Sequence, residues 1–279
     1  MKRREWIRNV AGLGLLLAAG PMDRAVWASE LSEPEKVKTL TLSGVKMTWI
    51  QDNPKERRMP NKIFSGADSR VIDELSPEGG ALATVSCFLM QKDGKTALFD
   101  TANGNADSLL LPALEGLGVK PADIDYLFLT HFHGDHIGGM MRDGKAVFPR
   151  AEVYAAKTEY DGWMAMEGER KELVATTMKA YEDRLHLFAF GEELPCGIEP
   201  MDASGHTPGH TVYRVGDFLV IGDLMHGAAI QLKRPEVCAS FDMDQPKAVA
   251  ARKKYLAYAK ENQLTMAGMH LPPPAFLKL

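Results

Sequence analysis

An α/β sandwich is the fold class that this sequence predicts, on three observations. Short apolar, β-rich runs recur at residues 83–90, 96–101, 126–130, 151–155, 218–221 and 264–267. Stretches at 107–117 and 157–187 carry helical spacing between them. Several of the strand-like runs lead into a histidine or an aspartate, as a site built on strand-end loops would. The 279 residues are 45% hydrophobic and 25% charged with a net charge of −4, which supplies a full core and excludes disorder, collagen and small disulfide scaffolds. That mild acidity leaves no clustered positive field, so a nucleic acid is excluded as a partner.

The first 28 residues differ from the rest. Lys2, Arg3, Arg4 and Arg8 form a basic head, an apolar run spans 10–20, and Val26-Trp27-Ala28 offers small residues before a cut. The run is shorter than the ~20 residues that span a bilayer, so no permanent membrane anchor is expected. Arg3-Arg4-Glu5-Trp6-Ile7-Arg8 resembles the twin-arginine export signal, whose transporter carries folded proteins. Residues 1–28 therefore read as a cleaved signal and 29–279 as one domain, periplasmic or secreted. Removing the signal takes away five Lys/Arg and two Asp/Glu and leaves a net charge near −7. Cys87, Cys196 and Cys238 are widely spaced, which leaves open one disulfide or three free thiols.

Along the mature chain, 38–50 alternates like a strand or hairpin, and 51–80, rich in Asn, Pro, Asp, Arg and Gly, reads as a long loop overhanging a site or making an oligomer contact. Asp93-Gly94 between two apolar runs predicts a tight hairpin. Residues 107–117 predict a helix with Asp107 or Ser108 as N-cap, Pro112 near the first turn and Gly118 at the end. Residues 157–187 predict mostly helix, broken near Gly168, with His186 at a helix end meeting solvent.

His131-Phe132-His133-Gly134-Asp135-His136 places three imidazoles and a carboxylate within six residues, directly after a strand. A strand end can present His131 and His133 on one side while a glycine-assisted turn brings His136 back. Further ligand types close later segments: His206 in Ser204-Gly205-His206-Thr207-Pro208-Gly209-His210, Asp223 after Leu219-Val220-Ile221-Gly222, and His270 after Met266-Ala267-Gly268-Met269. Alone, each would read as a cap or a satisfied core residue; together they make seven candidate ligands.

This ordered set resembles the metallo-β-lactamase superfamily of hydrolases. The resemblance implies a four-layer αββα sandwich with two divalent metal ions at one edge between the sheets. It assigns the first to His131, His133 and His206, the second to Asp135, His136 and His270, and makes Asp223 the bridge. Imidazole and carboxylate ligands without thiolate suit zinc, with manganese or iron as alternatives. Attack by metal-bound hydroxide is the implied chemistry, with Asp135 orienting it or passing its proton to a leaving group. Asp100 resembles the family's early Asp-Thr motif and is expected to support the site from behind. His210 is expected outside the ligand set.

Within the superfamily, the runs Leu129-Thr130-His131, Gly222-Asp223-Leu224, Ala228-Ala229-Ile230-Gln231-Leu232 and Thr158-Glu159-Tyr160-Asp161-Gly162-Trp163 resemble the branch of methyl parathion hydrolase and the acyl-homoserine lactone lactonases. Trp163 and Phe132 are then expected to line the substrate pocket, an ordinary core role being the alternative for Trp163. His226 stands where lactonases carry a substrate-contacting tyrosine, so it is expected to donate to a developing oxyanion or simply to wall the pocket. Residues 51–80 match nothing distinctive in that branch.

The activity expected is opening of a lactone, ester or phosphoester of a small-molecule substrate. The alternatives are a β-lactam hydrolase or an oxidoreductase of the same fold, of the mononuclear-iron persulfide dioxygenase type. Expected partners are the substrate and the twin-arginine export machinery, with a homodimer left open.

Overall fold

The computed structural model describes residues 36–279, so the export-signal reading of residues 1–28 lies outside it. Seven strands form the larger sheet: β1 (Val37–Leu42), β2 (Val45–Gln51), β6 (Ser86–Lys92), β7 (Lys95–Phe99), β8 (Tyr126–Phe128), β11 (Glu152–Ala156) and β12 (Leu185–Phe188), adjacent in that order. Pairing is antiparallel from β1 to β7 and parallel from β7 to β12. The change follows from the connections. Tight turns join β1 to β2 and β6 to β7, where Asp93 and Gly94 both take positive φ (52° and 72°) as the Asp-Gly hairpin requires, while residues 52–85 carry the chain from β2 to its neighbour β6. Helix-bearing crossovers join the last four. The smaller sheet orders β13 (Glu199–Asp202), β14 (Thr211–Val215), β15 (Phe218–Gly222), β17 (Thr265–Gly268) and β18 (Phe276–Leu277), with β15 and β17 parallel.

Strand alternation divides the core. Phe88, Met90, Ala97, Phe99 and Phe128 point into the cluster shared with Val212, Tyr213, Phe218 and Val220 of the second sheet. Their neighbours Leu89, Leu98, Leu127 and Val153 point the other way, onto α2 (Leu110–Gly116), α4 (Lys157–Met164) and α5 (Glu169–Ala180), the latter two separated at Gly168 as expected. On the outer side of the second sheet, α7 (Gln245–Glu261) contributes Ala251, Tyr255 and Ala259. Helix, sheet, sheet and helix give the four layers.

Several local expectations are corrected. The segment 51–80 is not an open loop: β3 (Arg57–Pro60) pairs with β5 (Gly80–Ala83), β4 (Phe64–Ser65) pairs with β16 (Cys238–Ala239), and α1 (Ser69–Leu75) packs beside α6 (Ala228–Gln231). Met59, Phe64, Ile72, Ala81, Ile230 and Val237 make a third apolar cluster that holds it down. The helix at 110–116 is capped from a distance: Asp52 accepts from the amides of Leu109 and Leu110 and from the Ser108 hydroxyl. His186 lies on β12, not at a helix end, paired with Glu152 at 2.6 Å and stacked on Tyr154. All three cysteines are free thiols. Among the described residues no helix is long and apolar enough to cross a membrane.

Candidate metal centre

Parallel strands leave their carboxyl ends on one edge, and the expected ligands come from those ends or from the loop between β13 and β14. The turn after β8 supplies His131, His133, Asp135 and His136, the last two on α3 (Gly134–Ile137). Asp223 follows β15, His270 follows β17 and His206 lies between β13 and β14.

Four overlapping donor groups form among the described residues, two of them adding His226 or Asp242 to the expected ligands and two matching the expected sets. His131, His133, His206 and Asp223 have ligand atoms within 4.8 Å of one another, and so do Asp135, His136 and His270. Nδ1 of His133 lies 3.0 Å from Nε2 of both His131 and His206. Asp223 sits between the groups: Oδ2 is 3.3 Å from His206 Nε2 and 3.2 Å from His270 Nε2, and Oδ1 is 3.1 Å from His136 Nε2. Asp135 Oδ2 is 3.5 Å from His270 Nε2.

The tautomers follow from what lies behind each ring. Asp100 Oδ2 accepts from His136 Nδ1 at 2.7 Å and from the Thr130 hydroxyl at 2.7 Å. That hydroxyl, its proton committed, accepts from His131 Nδ1 at 3.0 Å. The Thr84 carbonyl accepts from His270 Nδ1 at 2.7 Å, and Asp242 Oδ1 accepts from His206 Nδ1 at 3.0 Å. With Nδ1 the donor in all four rings, each Nε2 faces the cluster and offers it a lone pair whenever its ring is neutral. Buried His136 Nε2 and Asp223 Oδ1, though 3.1 Å apart, make no hydrogen bond to any protein atom. Converging lone pairs and orphaned buried donors of imidazole and carboxylate type fit a pair of divalent cations.

Protonation in the metal-free protein divides the rings. Burial holds His131 well below its usual range and, with the His206 charge beside it, His133 at about 3. Burial also pulls on His206, but its bonds to Asp223 and Asp242 prevail and raise it to about 9. His136 is likewise raised, the pull of burial being outweighed by Asp223 and Asp100. Burial pushes Asp223 up, and the surrounding histidines, His136 first, more than reverse it and hold it ionised.

Two backbone features hold these positions. Asp100 takes φ 58°, the left-handed region that costs a non-glycine residue, and from there both its oxygens serve the site: Oδ1 accepts from the Thr130 amide at 2.8 Å. At Gly222, a Cβ would sit 2.4 Å from His210 Nε2. Without one, His210 comes close enough to accept from the Asp223 amide at 3.0 Å, outside both donor groups.

The expected pocket residues separate. Phe132 is corrected: its ring lies in the core under the outer helices, 1% exposed, because the strand end turns it away from the two histidines that flank it. Trp163 is also buried; its ring stands edge-on to His133, centroids 5.6 Å apart, and its indole N–H donates to Glu159 at 2.7 Å. His226 Nε2 lies 3.0 Å from Asp223 Oδ2, and its buried Nδ1 has no hydrogen-bond partner.

Sequence reading missed Asp242, Glu159 and the Thr84 carbonyl. The Glu159 carboxylate accepts from the amides of Phe132 and Gly209, tying the two histidine-bearing turns together. The available signal was an acidic residue four positions before Trp163 on a predicted helix, one turn away on the same face.

Residues 81–270 match the family profile described as the metallo-beta-lactamase superfamily. The chain belongs to that superfamily. Among superfamily members it is 24% identical over 165 residues to an N-acyl homoserine lactonase of Bacillus cereus, covering 51% of this chain and 62% of that one. It is 30% identical over 138 residues to a hydroxyacylglutathione hydrolase of Shewanella baltica, covering 50% and 46%. The chain thus spans less than two thirds of these curated relatives' length. Among solved structures it resembles AidC, a dizinc quorum-quenching lactonase in complex with a product, with TM-score 0.78, 25% identity and coverage of 88% of this chain and 94% of that one. The hydrolase AbOPH in the beta lactamase superfamily gives TM-score 0.78 and 25% identity over 88% of this chain and 93% of that one. The superfamily membership and the fold expected from the sequence agree with these likenesses.

Proposed function

We propose that this superfamily hydrolase works with two divalent cations, zinc first among them, and opens a lactone or ester, with a phosphoester as a side substrate. The observation that carries the reading is the pair of donor groups sharing Asp223, with four Nε2 lone pairs turned into one buried cluster. When bound, such a pair supplies a water of lowered pKa and polarises the substrate oxygen. His131, His133 and His206 hold one cation; Asp135, His136 and His270 hold the other; Asp223 serves both.

The chain's own residues do the rest. Asp135, partly exposed at the open side of its group, takes a proton from the attacking water at a carboxylate oxygen and returns it to the leaving alcohol. His226, its Nε2 bonded to Asp223 Oδ2 at 3.0 Å, would turn that N–H to the oxyanion growing on the substrate once Asp223 is engaged by the cations. Phe241, 42% exposed with its ring 5.4 Å from that of His226, offers an apolar wall for the acyl side. Trp163 backs His133 and keeps its ring fixed. The lactonase likenesses support lactone chemistry ahead of β-lactam opening. Folding before export, as the Arg3-Arg4 segment suggests, would let the cations load in the cytoplasm and the enzyme act in the periplasm or outside.

Metal analysis of the purified protein, with a panel of lactones, aryl esters, phosphotriesters and β-lactams, tests this. Two equivalents of metal and turnover of lactones are expected; one iron with oxygen consumption would contradict it.

A further inference from the structure

Three of the four buried Nδ1–H groups are received by residues close to the sheet: Asp100 at the end of β7, Thr130 just past β8, and Thr84 before β6. His206 is different. Its acceptor, Asp242, comes from the loop before α7, and that loop is tied to the His206 turn twice more, by the Met243 amide to the His206 carbonyl at 3.1 Å and the Asp244 amide to the Gly205 carbonyl at 2.8 Å. Asp242 Oδ2 accepts from the Ala239 amide at 3.0 Å and faces Arg252 Nη2 at 3.4 Å.

Arg252 is 1% exposed on α7. Its Nε donates to the Leu224 carbonyl at 2.7 Å, one residue past Asp223, and Nη1 donates to the carbonyls of Pro235 and Val237 at 2.9 and 2.8 Å. A buried ion pair gives little net stability, since apolar residues of similar volume commonly do as well. What this one supplies is direction: a rigid guanidinium fork fixes both the backbone beside Asp223 and the carboxylate behind His206.

We infer that Asp242, held by Arg252, is a positioning residue that aims His206 Nε2 and thereby governs how tightly the His131–His133–His206 group retains its cation. The inference rests on the two-cation reading. Asp242 is held on both sides, Oδ1 against the His206 ring at 3.0 Å and Oδ2 against the buried Arg252 guanidinium at 3.4 Å. An ionised acceptor raises the basicity of the ring it receives from, and losing such a partner typically costs a metal ligand 10–100-fold in affinity. Because Asp242 bonds to His206 and to no donor of the Asp135–His136–His270 group, the loss should fall on one equivalent.

Zinc competition titrations on full-length Asp242→Asn, Asp242→Glu and Asp244→Asn proteins test this, with anomalous diffraction locating what remains. Asp242→Asn should weaken one of two equivalents by about 10–100-fold, the lost peak being the one beside His206. Asp242→Glu keeps an anion for Arg252, and so the fold, and should lose the same equivalent less. Asp244→Asn, an exposed cap of α7, should titrate like the parent. Unchanged retention in both Asp242 variants, equal weakening of both equivalents, or loss of the other peak would overturn the inference. Failure of the two-cation reading would show differently, as fewer than two equivalents in the parent protein, and would remove both.

Discussion

The two donor groups share Asp223 but are anchored differently. His136 and His270 rest on Asp100 and on the Thr84 carbonyl, at positions fixed by the larger sheet and the strand before it. His206 rests on Asp242, from a loop outside both sheets held by Arg252 and by backbone bonds to the His206 turn. One half of the centre is thus carried by the sheet scaffold, the other completed by a long-range side-chain network. The lesson is that a shared ligand does not make a symmetric site, and the two halves should respond unequally to change.

The largest effect should come from removing what they share. Asp223→Ala should abolish retention of both equivalents and lower kcat/KM about 10³-fold or more, the several kcal/mol that metal charge stabilisation supplies. Elemental analysis beside kinetics reads it, and a variant that keeps two metals would break the bridging role. Asp100→Asn should come next. Its carboxylate holds His136 directly and His131 through Thr130, so both equivalents should weaken about 10–100-fold, in contrast to Asp242→Asn. Chelator competition tells the two patterns apart.

Proton release also sets the rings of the centre apart. In the metal-free protein His206 titrates at about 9 and His136 is raised, whereas His133 titrates at about 3. At pH 7, loading must therefore expel protons from His206 and His136 but none from His133. Affinity should rise with pH up to about 9, roughly tenfold per unit for each proton displaced. Calorimetry in buffers of different ionisation enthalpy measures the number; zero protons released at pH 7 would contradict it. The same raised value in His206 stabilises the metal-free fold below pH 6.5, a contribution lost as pH climbs through about 9. The smallest effect belongs to the support layer. Trp163→Phe removes one donor from the buried Glu159 carboxylate and should cost about 1–3 kcal/mol in denaturant unfolding while leaving metal content intact.

What could be read from the chain divides ligands from their supports. The ligands of both halves announce themselves, because a strand followed by His131-Phe132-His133-Gly134-Asp135-His136 packs four donors into one turn, His206 lies in a glycine-flanked turn, and Asp223 and His270 each end an apolar run. Asp242 and Arg252 carry no such signal. Their meaning lies in contacts with His206 and Leu224, distant in sequence, and an arginine within an alanine-rich stretch reads as solvent-facing although it is buried. The same reason hid α7, whose buried face is built from alanines and one tyrosine rather than from large apolar residues. Residues 51–80 read as a loop because their order comes from pairing with 238–239 and packing on α6, partners far along the chain. Phe132 was misplaced for a simpler cause: alternation at the strand end sends its ring opposite to its neighbours.

Anomalous diffraction at the zinc edge from crystals of the loaded protein puts the whole account at risk in a single data set. Two peaks about 3.5–4 Å apart are predicted, one among His131, His133 and His206 and one among Asp135, His136 and His270, each in contact with Asp223. A single peak, or density away from Asp223, would contradict it.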